Sequence, residues 1–172
     1  HPFFSFDDWF IGNTAIIKGI PREISELTIN FNFNDIDSVE KVINSKLFKN
    51  NIAAIILEPG AIKRPVNTPY GNFLQYLRKV CDDNEIILIF DEIVTGFRIH
   101  RISAQSVYNV IPDLITFGKA MANGFSVAAL CGKKDIMDLG SIKKLGQERT
   151  FLLSSTYGAE MSSLAAFLET ME

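Results

Sequence analysis

The sequence predicts an α/β fold, with a mixed, mostly parallel sheet flanked by helices, and two observations carry the prediction. Three apolar runs, Ile52–Leu57, Ile86–Phe90 and Leu114–Phe117, have the length and continuity of buried strands. Segments with the apolar spacing of amphipathic helices separate them, and alternating strand and helix is the pattern of parallel crossover units. At 172 residues and 47% hydrophobic composition, one substantial core and a single domain over residues 1–172 are expected.

Taken in order, His1–Phe10 (HPFFSFDDWF) is dense in aromatics, which suits a core-facing edge segment more than a ligand-stacking one. Lys18–Pro21 is a loop, because glycine and proline interrupt it. Leu27–Phe33 alternates apolar and polar residues and is predicted to be a half-buried strand. Asp35 or Asp37 caps a helix running through Leu47, with Asn50 and Asn51 ending it. Ile52–Leu57 is apolar on both faces, as a central strand covered by helices on each side would be, and it leads into Glu58-Pro59-Gly60. Ala61–Tyr70 is a Pro-bearing irregular loop, and Phe73, Leu74, Leu77 and Val80 then mark a helix. Beyond the Ile86 strand follow a short helix at Ala104–Asn109, the Leu114 strand, a strand at Val127–Cys131 and a helix over Glu160–Glu172.

The net charge of -3 and scattered lysines give no footprint for nucleic acid or a membrane surface. Cys81 and Cys131 have neither CxxC nor metal-ligand spacing, which points to a reducing, cytoplasmic setting and no metal. Phosphate-binding loops of the GxxxxGK type, HExxH and GxSxG are absent, and His1 and His100 are the only imidazoles.

What remains is a set of strand ends. Glu58 follows the first strand, Asp91 and Glu92 the second, and Gly118-Lys119 the third. Active groups of open α/β sheets collect at the carboxyl ends of strands, so two acids and an amine can converge on one ligand. Each residue alone has an ordinary explanation. A strand-end aspartate is often a cap or turn former, and a lysine after glycine is usually solvated. Arg98 reads better as the partner of an Asp or Glu than as a substrate anchor.

Four stretches taken together resemble the class III, ornithine-type aminotransferases, and within them the glutamate-1-semialdehyde 2,1-aminomutase branch. They are AAIILEP at 53–59, LIFDEIVTGFR at 88–98, PDLITFGKAMANGF at 112–125 and STYGAEMSSLAA at 155–166. The resemblance implies the large domain of a fold-type I pyridoxal 5′-phosphate enzyme. Lys119 would hold the cofactor covalently and shuttle a proton, and Asp91 would pair with the ring nitrogen. Ile93 would pack on one ring face, and Thr156 would reach the cofactor phosphate of a neighbouring subunit, making a homodimer with shared sites. Glu58 would lie near the cofactor, and Phe3 could stack on it.

Where the family carries an aromatic-His-Gly motif, this chain reads Phe3-Phe4-Ser5. The family's upstream phosphate-cradling turn and its C-terminal small domain have no counterpart in the sequence, so a partial large domain is expected. The function implied is amino-group transfer, by an aminomutase or an aminotransferase, on a small amino acid, amino-aldehyde or amino-sugar substrate. The alternative is a catalytically idle fragment or scaffold of the same fold.

Overall fold

The computed structural model describes residues 17–48, 51–60, 62–101, 103–141, 143 and 158–172. Contacts divide the chain into two compact units, His1–Asn51 and Ile52–Glu172.

The first unit contains helices α1 (Arg22–Ser25) and α2 (Ile36–Ile43). Asp35 caps α2 by accepting from the Ser38 N–H at 2.9 Å, satisfying a donor that the first helical turn leaves free. The helix stops at Ile43 rather than at Leu47. Asn44 and Ser45 follow, residue types whose short polar side chains compete for backbone groups, and the Ser45 hydroxyl accepts from the Leu47 N–H. Leu27–Phe33 is irregular rather than a strand. Its alternation lacks a partner strand among the described residues of this unit. The Asn32 N–H instead donates to the Ser38 hydroxyl at 2.7 Å, and Asn34 turns the chain at φ 68°.

The second unit is built on a four-stranded sheet of order β1-β4-β5-β6: β1 Ala54–Leu57, β4 Ile87–Asp91, β5 Leu114–Phe117 and β6 Ala129–Gly132. β1, β4 and β5 run parallel, and β6 returns antiparallel to β5. The predicted mixed, mostly parallel sheet is therefore present. Its register sets Leu57 opposite Phe90 and Asp91 opposite Thr116. The sequence places Ile52–Leu57 centrally. Among the described residues it is instead an edge strand with β4 as its one neighbour, and Ala54 and Ile56 are exposed.

The buried side of the sheet carries Ile55, Leu57, Leu88, Phe90, Ile115 and Phe117. Helix α3 (Phe73–Asp83) packs on β4 and buries Phe73, Leu74, Leu77 and Cys81 completely. Each such large apolar side chain contributes about 1.5–3 kcal/mol of transfer free energy. A small hairpin, β2 (Asn67–Thr68) with β3 (Gly71–Asn72), leads into α3 where the sequence predicts only loop. Asn72 then closes a capping box: its side chain accepts from Leu74 and Gln75 N–H, while Gln75 accepts from the Asn72 N–H. The short helices α4 (Ala104–Tyr108) and α5 (Lys134–Met137) flank β5 and β6 in sequence, and α6 (Met161–Met171) packs on the 3₁₀ turn Lys119–Ala122.

Candidate active site

The register brings the three predicted strand ends side by side. Glu58 follows Leu57, which stands opposite Phe90, so Glu58 is level with Asp91 on the neighbouring strand. Lys119 lies two residues beyond the end of β5, the strand on the other side of Asp91. The charges sense one another. Burial pushes the Glu58 carboxyl above the usual carboxylate range, the Asp91 charge pushes it further, and Lys119 offsets part of the effect.

Asp91 is half-buried, and its Oδ1 accepts from the Ile93 N–H at 3.1 Å and from the Thr116 hydroxyl at 3.4 Å. Lys119 is exposed and takes a left-handed conformation, φ 45°, which costs a non-glycine residue about 1 kcal/mol. The strand thus gives way to a turn at the lysine itself. Behind that turn Met121 and Ala122 are buried, and α6 backs it with a buried Ser163.

The segment after Asp91 is a tight, internally bonded turn. Adjacent carboxylates on an extended chain point to opposite sides, and Glu92 takes the inward one, fully buried. Its Oε1 accepts from the Ser103 hydroxyl at 2.6 Å and the Ala104 N–H at 2.9 Å. Its Oε2 accepts from the Thr95 hydroxyl at 3.2 Å and the same Ala104 N–H at 2.7 Å. Gly96 is required here, since a Cβ would lie 2.6 Å from the Phe117 ring and 2.8 Å from the Glu92 carbonyl oxygen. Phe97, at φ 58°, stacks edge-on against Phe117 and against Phe167 of α6, with centroids 5.4 and 6.0 Å apart. Ile93 sits beside Gly118, with its Cγ2 and Cγ1 carbons 3.6 and 3.7 Å from where a Gly118 Cβ would be. The Asp91 turn and the Lys119 turn therefore touch through Ile93.

Glu58, Asp91, Ile93 and Lys119 are thus assembled at one end of the sheet. Phe3 and Thr156 lie outside the described residues. Arg98, expected to pair with a carboxylate, is exposed and forms no ion pair among the described residues, because the turn carries it outward. Two further contributors carry little signal in the sequence. Thr116 holds Asp91 through its hydroxyl, and the signal available was a lone hydroxyl within the apolar LITF run. Glu92 was legible only as half of an acid pair, one member of which had to turn inward.

A cleft of about 230 Å³ opens at the opposite end of β4 and β5, but its Arg78 and Lys133 are both paired with Asp113. No helix among the described residues is long and apolar enough to cross a membrane.

These residues fall within known families. The sequence pattern of the family described as aminotransferase class-III matches residues 12–172. Over 132 residues the chain is 42% identical to the glutamate-1-semialdehyde 2,1-aminomutase 1 of Lachnoclostridium phytofermentans, covering 74% of this chain and 30% of that protein. It is 38% identical over 154 residues to the glutamate-1-semialdehyde 2,1-aminomutase of Francisella philomiragia, covering 90% and 34%. Among solved structures, an omega-transaminase from Sphaerobacter thermophilus superposes with a TM-score of 0.73 at 29% identity, over 89% of this chain and 34% of that one. The chain spans about a third of the length of the curated relatives it matches. On a family match that runs through both the Asp91 turn and the Lys119 turn, the chain belongs to the class III aminotransferases.

Proposed function

We propose that the protein transfers amino groups with pyridoxal 5′-phosphate, and that this chain supplies the lysine and the acid at the centre of that reaction. The observation that carries the reading is the register that sets Glu58, Asp91 and Lys119 at three adjacent strand ends. The residues fit the group. A primary amine is what an aldehyde needs for covalent attachment, and a carboxylate fixed by Ile93 N–H and Thr116 suits a protonated ring nitrogen. When bound, the cofactor supplies an electron sink for negative charge at the substrate's reacting carbon.

Lys119 would hold the cofactor covalently through Nζ and, once displaced by the substrate amine, move the proton at the substrate's α-carbon. Asp91 would keep the ring nitrogen protonated, Ile93 would pack against the ring, and Glu58 would hold a second acid beside Asp91. Thr156 would reach the phosphate held by a second copy of the chain, so that a homodimer completes each site, and Phe3 would stack at its edge. The aminomutases among the relatives support an amino-aldehyde substrate of the glutamate-1-semialdehyde type, with an amino-sugar precursor next in order. Free Cys81 and Cys131 support a reducing, cytoplasmic setting.

The test is Lys119→Ala in the whole protein. The wild type, mixed with pyridoxal phosphate, should show visible absorption and be fixed by borohydride at Lys119, and the variant should lose both together with amino transfer. A reduced adduct on Lys133 or Lys134 would overturn the assignment, and a wild type that takes up no cofactor would favour an idle scaffold.

A further inference from the structure

We infer that Glu92 is a positioning residue for Asp91: its buried carboxylate fastens the turn after Asp91 to the start of α4 and so holds the Asp91 carboxylate in one orientation. The inference rests on Asp91 being the acid opposite the ring nitrogen.

Glu92 is pinned at three points around its neighbour. Its own N–H donates to the Thr116 carbonyl at 2.9 Å, on the residue whose hydroxyl bonds Asp91 Oδ1. Its carbonyl accepts from the Gly96 N–H at 2.9 Å, closing the turn that contains Ile93. The side chain reaches across to Ser103, Ala104 and Thr95, anchoring that turn to α4. The Ile93 N–H, carried by the turn, is then aimed at Asp91 Oδ1.

A helix cap alone does not require this arrangement. Ser103 already caps α4 through its hydroxyl, which accepts from the Gln105 N–H at 3.1 Å. A buried carboxylate is an expensive substitute for a neutral acceptor, but it makes shorter and stronger bonds to every donor it meets. Both of its oxygens accept from the one Ala104 N–H, so a glutamine in either amide orientation confronts that N–H with another donor.

The experiment is a double-mutant cycle on the whole cofactor-loaded enzyme with Glu92→Gln, Asp91→Asn and both together, following kcat, KM for the amino donor and the pH dependence of the visible band. Glu92→Gln should lower kcat about tenfold with KM within about twofold, and shift the band's pH dependence in the direction that Asp91→Asn does. The double variant should be no slower than Asp91→Asn alone, because a residue acting through Asp91 has nothing left to act on. Effects that multiply, or a Glu92→Gln enzyme with unchanged kcat and band, would overturn the inference. Near-native turnover by Asp91→Asn itself would instead remove the reading of Asp91 on which it stands. Should Glu92→Gln fail to fold, Ser103→Ala deletes the 2.6 Å bond to Glu92 along with the cap on the Gln105 N–H, and leaves the Ala104 and Thr95 bonds to Glu92 in place. A loss of about threefold that vanishes in the Asp91→Asn background supports the inference, and a loss that persists there overturns it.

Discussion

Asp91 and Asp113 sit at opposite ends of the same strand pair, and they are held in opposite ways. Asp113, just before β5, is buried and saturated. It accepts from the Leu88 N–H at 2.7 Å and from Arg78 at 2.8 Å, and pairs with Lys133 at 2.5 Å. Asp91, at the end of β4, is half-buried, and its Oδ1 accepts from the Ile93 N–H and the Thr116 hydroxyl. Its charge acts on Glu58, at the neighbouring strand end. One aspartate is built into the sheet as a clamp. The other stands at the strand end, where the Ile93 N–H and the Thr116 hydroxyl meet one of its oxygens.

The sharpest way to break this contrast is to neutralise each in turn. Asp91→Asn should slow amino transfer by about a hundredfold or more while leaving the melting temperature nearly unchanged. Asp113→Asn should do the reverse. It removes the charge shared by Arg78 and Lys133 inside a buried site and should destabilise the fold by about 3 kcal/mol, read from denaturant midpoints. Equal stability losses in the two variants would erase the distinction.

Acid titration sharpens the same comparison with a smaller effect. Burial works against the charge on Asp113, yet Lys133, the Leu88 N–H and Arg78 together hold its carboxyl below the ordinary aspartate range. A group depressed in the folded state contributes stability that is complete above its unfolded value and is lost as pH falls through the folded one. The loss therefore falls below about pH 4, and the Asp113→Asn variant should show a flatter acid limb. Glu58 runs the other way. Its folded value is raised, so ionising it above the ordinary glutamate range costs stability, and Glu58→Gln should be neutral or slightly stabilising at pH 7.

The smallest effect concerns the thiols. Cys81, buried beside Arg78 on the clamp end, is pushed up to about 12 by burial, while Cys131 is exposed. Alkylation at pH 8 should label Cys131 at once and Cys81 only as the fold opens. Asp113→Asn should speed the Cys81 reaction, and Asp91→Asn should not.

The active end was far more legible in sequence than the clamp end. Apolar runs that stop in Glu58, Asp91 and Lys119 announce strand ends directly, because charge cannot continue into a sheet interior. The Asp113 clamp is assembled from α3, β4 and the turn before α5, and nothing local in Pro112-Asp113 reveals that Arg78 and Lys133 will meet there. The same physics explains the misjudged elements. Leu27–Phe33 has a strand's alternation, but alternation specifies a face and not a partner. Ile52–Leu57 has a central strand's composition, but composition is silent on which neighbours lie within reach. Thr116 and Glu92 were hidden because their importance comes from register, which places a hydroxyl opposite Asp91 and turns its neighbour inward.

The parallel register has a kinetic consequence. Glu58, Asp91 and Lys119 lie at or just beyond the ends of three parallel strands joined by crossovers, so no hairpin or single helix brings any two of them together. Parallel pairing must close long loops before it is rewarded, and it forms late. A ligand that needs all three residues meets a folding chain only after the sheet is complete. It should leave the folding rate untouched and act as a lock, lengthening the lifetime of the folded molecule by slowing its unfolding.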